Sequence, residues 1–122
     1  MIRLIVAIMV ILSLPGAAFA QWQRYWEDSE ITAAFKHQSF GKFRDYPSVW
    51  VRWHYRSSDQ KYGGMLLHFM ANCEEHRLLE ITSIPYDHNG RDLEASRHHD
   101  APIDYPVEKD TLNGATYKLL CH

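Results

Sequence analysis

Residues 49–55 read VWVRWHY, and this stretch decides the fold. Apolar or aromatic residues at the odd positions alternate with Trp50, Arg52 and His54 at the even positions. Alternation with a period of two is typical of a β-strand that buries one face and opens the other. The stretch therefore predicts a strand in a sheet with one buried face.

The segment that follows continues the same pattern. Residues 56–64 are rich in Ser, Asp and Gly and predict a loop. One face of the next strand collects Met65, Leu67, Phe69, Ala71 and Cys73. Two such strands favour an antiparallel hairpin, in which His68 shares the open face with Arg52 and His54.

The remaining segments up to residue 105 are predicted as short strands and loops. Strands are expected at residues 21–27, 31–35 and 77–86, the last with Leu79 and Ile81 together. The pair Asn89-Gly90 suits a tight turn into a further strand at residues 92–97. Residues 36–48 are polar and contain Gly41 and Pro47, which indicates a long loop.

The C-terminal segment changes period from two to about 3.6, which predicts a helix. Leu112 and Leu119 lie on one side of it, with Asp110 or Thr111 as the N-cap and Cys121 on the last turn. Its centre at Asn113-Gly114 is weak, so the helix needs docking on the sheet.

The N-terminus reads as a signal peptide over residues 1–20. A cation at Arg3, an apolar run over residues 4–14 and the ending Ala18-Phe19-Ala20 match the export pattern with its A-x-A cleavage site. The run is shorter than the roughly 20 residues that span a bilayer. No cysteine lies at the cleavage point, so we expect an exported chain without a lipid anchor, either periplasmic or at the cell surface.

The processed chain, residues 21–122, is long enough for one domain with one modest core. Its two cysteines, Cys73 and Cys121, are an even count in an exported chain, and we expect them to pair. Without Arg3 there are twelve Lys and Arg against fifteen Asp and Glu, a formal charge of −3. That balance, with the signs interspersed, argues against a nucleic-acid or anionic-membrane binder.

The order of these features resembles the surface-adhesin protein E family of small exported bacterial domains. The residues that carry the resemblance are Tyr25-Trp26-Glu27-Asp28, Val49-Trp50-Val51, Cys73 with Arg77, Tyr86 before a glycine turn, and residues 111–121 with Tyr117-Lys118. The chain differs from the family pattern at Lys109-Asp110-Thr111, where Pro-Gly-Ser is expected, and at Gly114, where an acidic residue is usual.

The resemblance implies an α+β fold. It would be a twisted antiparallel β-sheet of about five to six strands, with a C-terminal α-helix packed on one face and tied to the sheet by the disulfide. It also implies a non-enzymatic role in binding host or envelope proteins, since the family is named after a member that binds host matrix proteins and haem. Fold analogy by itself does not transfer a function.

The candidate ligand-binding residues are aromatic and basic ones of the open sheet face. They are Trp22, Trp50, Arg52, His54 and His68. Aromatic side chains give a large contact area at low entropic cost, which suits a binding face. The alternative interpretation is structural, with Trp53 and Tyr55 filling the core while Trp26 and Trp50 cover sheet edges.

Histidines open a second hypothesis, a periplasmic haem- or metal-binding protein. His54 and His68 on one face with aromatic neighbours would suit haem or a soft metal. The cluster His98-His99-Asp100 would suit zinc or an acidity sensor, but it also reads as a polar loop without a third ligand. We expect no cofactor and name no metal ligand.

Catalysis has little support in the sequence. The known nucleophile, metalloprotease and phosphate-loop motifs are absent, and Ser96 near His98 and Asp100 is not a triad by sequence proximity. We expect a non-enzymatic module, with a homodimer through an exposed sheet edge as a further option. A purely structural envelope protein without a dedicated ligand is the third hypothesis.

Overall fold

The computed structural model describes residues 21–93 and 97–122. The predicted signal peptide lies outside the described residues. The elements are β1 (Trp22–Glu27), β2 (Ile31–Lys36), a single 3₁₀ turn (His37–Ser39), β3 (Gly41–Phe43), β4 (Tyr46–Tyr55), β5 (Gly64–Asn72), β6 (Arg77–Tyr86), β7 (Arg97–Tyr105) and α1 (Leu112–Leu120). Across these ranges no helix has the length and apolar content needed to cross a membrane.

The strands form one antiparallel sheet in the order β1-β2-β4-β5-β6-β7. The short strand β3 pairs with the first half of β4, on the same side as β2. The long strand β4 therefore has neighbours along both edges, and Val51 lies between Phe35 and Leu67. This confirms the predicted α+β class, with seven strands in place of the five to six expected.

The sheet has one face covered by α1 and one open face. The main core lies under the helix and contains Phe35, Val49, Val51, Leu67, Phe69, Ala71, Leu78 and Leu120. The predicted alternation of residues 49–55 and 65–71 produces this core, because the odd-numbered side chains of β4 and β5 point to the same side.

A smaller apolar cluster lies on the open face. It consists of Met70, Leu79 and Ile81, with Phe43 packed against them. Ile81 is an extra residue in β6, because Phe69 pairs with Glu80 while His68 pairs with Thr82. Leu79 and Ile81 share a face by the period of two, as predicted, and the bulge turns the next residue, Thr82, to the open face beside His68.

The predicted loop over residues 36–48 is wrong for most of its length. It contains a 3₁₀ turn, the strand β3 and the beginning of β4. The turn between the two strands is formed by Arg44 and Asp45, with φ angles of 51° and 67°. Two left-handed residues give the tight hairpin turn usually marked by Asn-Gly, and an Arg-Asp pair does not carry that mark.

The predicted strand over residues 92–97 lies partly outside the described residues. Asp92 makes an isolated bridge to Tyr86, residues 94–96 lie outside the described residues, and β7 begins only at Arg97. The segment His98-His99-Asp100, interpreted as a loop, belongs to that strand. Strand β7 is an outer strand with mostly exposed polar side chains, so its sequence lacks a regular apolar alternation.

The helix α1 is positioned as predicted. The Thr111 hydroxyl caps it by accepting a hydrogen bond from the Gly114 N–H at 3.1 Å. The Cys73–Cys121 disulfide connects the turn after β5 with the end of the helix, at a Cα–Cα distance of 5.6 Å. A Cβ at Gly114 would overlap the carbonyl oxygen of Glu108, so glycine lets the helix approach the preceding segment.

A chain of hydrogen bonds also connects α1 to the sheet. The Trp53 indole N–H donates to the Tyr25 hydroxyl at 3.3 Å, and the Tyr25 and Thr116 hydroxyls are 2.9 Å apart. Because Thr116 donates to the Leu112 carbonyl, the Tyr25 hydroxyl is the donor to Thr116. Thr116 is fully buried, and burial raises the pKa of Tyr25 to about 12. These hydrogen bonds connect β4, β1 and the helix.

Candidate binding surface

All five sequence-predicted ligand residues lie on the open face. In the pairing of β4 with β5, Trp50 is opposite His68, Arg52 is opposite Leu66, and His54 is opposite Gly64. Trp22 pairs with Lys36 at the far end of β1 and β2. Cross-strand partners point to the same face, so the register brings these side chains to one side of the sheet.

Trp50 and His68 form a stacked pair at the centre of this face. Their ring centroids are 4.6 Å apart and their planes differ by 4°, while Phe43 presents an edge to His68 at 5.9 Å. Burial lowers the pKa of the His68 imidazole, and the charge of the nearby His98 adds to that effect. His68 is therefore neutral at pH 7, and the pair is a flat aromatic platform.

Trp22 and Arg52 form a second pair beside the platform. The Arg52 guanidinium carbon is 5.1 Å from the centroid of the Trp22 ring. Ala34 lies opposite Arg52 in the register, and its small side chain leaves room above β2. Trp22 thus crosses the sheet towards β4 and has a cation over one ring.

Two cavities lie on either side of Trp22. One of about 360 Å³ is lined by Trp22, Lys36, Gln38, Ser39, Trp50 and Leu66. The other, of about 160 Å³, is lined by Trp22, Arg52, Leu66, Tyr86, Gly90 and Asp92. Both cavities are lined by Trp22 and Leu66, so they adjoin the same side chains of the open face. We call the two together the Trp22 groove.

The four tryptophans differ in how their indole N–H groups are used. Trp26 donates to the Asp28 carboxylate at 2.8 Å, and Trp53 donates to Tyr25. Neither Trp22 nor Trp50 donates to any residue in 21–93 or 97–122, and no buried side-chain nitrogen or oxygen there lacks a partner. Within residues 21–93 and 97–122 the indole N–H groups of Trp22 and Trp50 therefore have no acceptor.

The cations of the groove are also unpaired within the described part of the chain. The exposed carboxylate of Glu27 pairs with Arg24 and Arg56, and Arg77 pairs with Glu75 and Asp104. Lys36 and Arg52 form no ion pair with a described residue. Sequence analysis missed Lys36 because it ended the strand at residue 35. One further step of the alternation would have placed Lys36 on the open face.

His54 has a different environment from His68. Its Nδ1 is 3.2 Å from the Tyr86 hydroxyl, which itself donates to the Trp53 carbonyl at 3.2 Å. Burial raises the pKa of Tyr86 to about 12, so the phenol stays protonated near neutral pH. Since His68 pairs with Trp50, four residues of β4 separate the two histidines, a span of roughly 13 Å. The structure does not bring His54 and His68 together around one metal or haem iron.

The cluster His98-His99-Asp100 is split by the strand. His98 lies 3.1 Å from the Thr82 hydroxyl on the open face, while the His99 Nε2 donates to the Glu80 carboxylate at 2.7 Å on the helix side. The part of the chain that the structure describes contains no group of three or more side chains able to hold a metal ion. Ser96 lies outside the described residues.

Sequence analysis missed the buried carboxylate of Glu80. It is 4 % exposed and accepts hydrogen bonds at 2.7 Å from the Tyr105 hydroxyl and from His99. Burial and the Glu80 charge raise the pKa of Tyr105. Both donors come from β7, so Glu80 fastens this outer strand across the bulge of β6.

Two wider depressions lie beside α1. One of about 580 Å³ contains Phe35, Phe40 and Leu119, and one of about 540 Å³ contains Cys73, Tyr117 and Cys121. Neither contains a sequence-predicted ligand residue. Their walls combine the helix with the segments that flank the disulfide, whereas the open face combines unpaired cations, indole donors and aromatic rings.

Comparison of the chain with protein-family models, curated proteins and solved structures finds no match in any of the three.

Proposed function

We propose that the chain is an exported, non-enzymatic binding module that engages an envelope or host protein through its open sheet face. One observation carries the proposal. The helix covers one face of the sheet, while the other face presents Trp22, Trp50 and Arg52, with a guanidinium that stacks on Trp22 and pairs with no described carboxylate. Trp and Arg are the residue types enriched at the energetic centres of protein interfaces.

Export is supported by the N-terminal pattern of residues 1–20 and by the disulfide. Disulfides persist in oxidising compartments and are rare in the cytosol. The likeness to adhesin E domains supports the same location and a binding role. Periplasm and cell surface are both compatible with these features.

A non-enzymatic role is favoured by how the titratable groups are used. His99, the histidine beside a carboxylate, is half-buried against Glu80 and fastens a strand. The ammonium of Lys36, the guanidinium of Arg52 and the indole N–H groups of the Trp22 groove are hydrogen-bond donors, which suits the binding of an acceptor-rich partner.

The test compares two tryptophan variants of the oxidised full chain. Trp22→Ala removes a ring from the open face, and Trp26→Ala removes one from the same strand where it pairs with Ala33 on the other face. Proteins captured from envelope and host-matrix extracts are purified, and their affinity for each variant is measured by calorimetry.

The proposal expects a saturable one-to-one complex that Trp22→Ala weakens by roughly tenfold or more and that Trp26→Ala leaves within about twofold. Equal loss in both variants would point to a stability effect and refute the assignment of the face. Absence of any saturable partner in these extracts would favour the structural-protein hypothesis.

A further inference from the structure

The Trp22 groove carries two cations, Lys36 and Arg52, against one carboxylate, Asp92. Lys36 lines its larger half and Arg52 its smaller half, and neither forms an ion pair with a described residue. The indole N–H groups of Trp22 and Trp50 add two unused donors. Ammonium, guanidinium and indole groups donate hydrogen bonds and accept none. A ligand for this groove must therefore be rich in acceptors and negatively charged.

The spacing of the two cations follows from the strand register. Ala34 is opposite Arg52, and Lys36 lies two residues further along β2 on the same face. Diagonal neighbours of this kind have side chains that start about 7–8 Å apart. Alternate residues of an extended peptide lie about 6.5–7 Å apart, with side chains on one side. Two carboxylates at positions i and i+2 of an extended segment would match Lys36 and Arg52.

We infer that the Trp22 groove binds an extended acidic segment of a partner protein, in which alternate Asp or Glu side chains bind Lys36 and Arg52. The inference rests on the proposed function and names the chemistry of the partner. The net charge of the whole chain is −2, so this local pair of cations is opposite in sign to the overall charge.

Asp92 offers a substitution that should change the affinity for an acidic ligand in the opposite direction to Lys36→Ala. It lines the smaller cavity on the Arg52 side, and its structural contact in the sheet is a backbone bridge to Tyr86. A carboxylate at that position repels an acidic ligand. Removing its charge should therefore tighten binding, whereas removing the charge of Lys36 should weaken it.

The experiment uses the oxidised full chain and a labelled eight-residue peptide of alternating glutamate and threonine, followed by fluorescence anisotropy. Reference peptides replace every glutamate by glutamine or place the four glutamates in one block. Lys36→Ala and Arg52→Ala are compared with Lys109→Ala and Lys118→Ala, which remove the same charge at exposed lysines before α1 and on its last turn. Circular dichroism checks that each variant is folded.

The inference expects the alternating peptide to bind and the glutamine peptide to bind at least roughly tenfold more weakly. Lys36→Ala and Arg52→Ala should each weaken binding by roughly fivefold or more, and Asp92→Asn should tighten it by roughly twofold or more. Raising the salt from about 50 mM to about 500 mM should weaken the complex, because the charges are partly exposed.

Four outcomes would overturn the inference. If Lys109→Ala and Lys118→Ala weaken binding as much as Lys36→Ala and Arg52→Ala, the attraction is unspecific. If the block peptide binds as tightly as the alternating peptide, the i, i+2 spacing is not recognised. If a uronic-acid oligosaccharide binds more tightly than the alternating peptide, and the Lys36, Arg52 and Asp92 variants change its affinity in the same way, the groove is assigned to acidic glycans. A protein partner that is sensitive to Trp22→Ala but not to Lys36→Ala, Arg52→Ala or salt would leave the proposed function standing and remove only the acidic segment.

Discussion

Replacing Thr116 by valine should test the hydrogen-bond chain between α1 and the sheet. Valine keeps the shape of the side chain but removes the hydroxyl that accepts from Tyr25 at 2.9 Å. The Tyr25 hydroxyl then lacks an acceptor in a buried position, which costs about 1–3 kcal/mol. We take about 2 kcal/mol as the expected loss in the free energy of unfolding, a substantial part of the 5–15 kcal/mol typical of a domain.

The double variant Tyr25→Phe/Thr116→Val makes the prediction specific. Tyr25→Phe alone leaves the Trp53 indole N–H without its acceptor, at a similar cost of about 1–3 kcal/mol. The double variant has no Tyr25 hydroxyl, so it has no unsatisfied donor at that position. Its loss in the free energy of unfolding should therefore be about 1–2 kcal/mol smaller than the sum of the two single-variant losses. Urea unfolding followed by tryptophan fluorescence measures all four proteins.

Thr116→Ser is the control, because it keeps the hydroxyl and removes one methyl group. Its loss should be about 1 kcal/mol, the value of a buried methyl group. The reasoning is refuted if Thr116→Val is as stable as Thr116→Ser, or if the losses of Tyr25→Phe and Thr116→Val are additive.

Four further predictions concern the disulfide, the helix packing, alkaline stability and assembly. Reduction of the Cys73–Cys121 bond, whose ends are 48 residues apart, should lower the free energy of unfolding by about 4 kcal/mol in the chain-entropy model, measured by urea unfolding with and without reductant; a loss below about 1 kcal/mol would contradict it. Gly114→Ala should cost about 1–3 kcal/mol in the same assay, because its Cβ meets the Glu108 carbonyl oxygen, whereas Ala at a merely flexible glycine would stabilise the helix. Because the pKa of Tyr25 is raised to about 12 in the folded state, its contribution is intact below about pH 10 and is lost between about pH 10 and 12, by about 2–3 kcal/mol; this part of the alkaline loss should be absent from Tyr25→Phe. Light scattering should find a monomer at micromolar concentration, because both outer strands, β1 and β7, have irregular pairing that opposes strand addition; a stable dimer would support the edge-paired homodimer.

Periodicity was a sufficient guide wherever one face of an element is buried. The alternation at residues 49–55 and 65–71 located β4, β5 and their shared core, and the 3.6-residue period located α1 with Thr111 as its cap. The same alternation brought Trp50, Arg52, His54 and His68 to one face. Periodicity could not find β3 or β7, because their side chains are largely exposed, and the turn between β3 and β4 lacks the usual Asn-Gly mark.

The sequence by itself determined the strand-rich class, the terminal helix, the pairing of Cys73 with Cys121 and the face to which the ligand candidates belong. These features follow from local periodicity and from the count of cysteines, and both can be read from the amino-acid sequence. The tertiary structure alone decided which side chains meet across strands. It stacked Trp50 on His68, set Lys36 diagonal to Arg52, kept His54 apart from His68 and buried Glu80 against His99 and Tyr105. Strand order and register are long-range choices, fixed by how the whole core packs, and no local pattern encodes them.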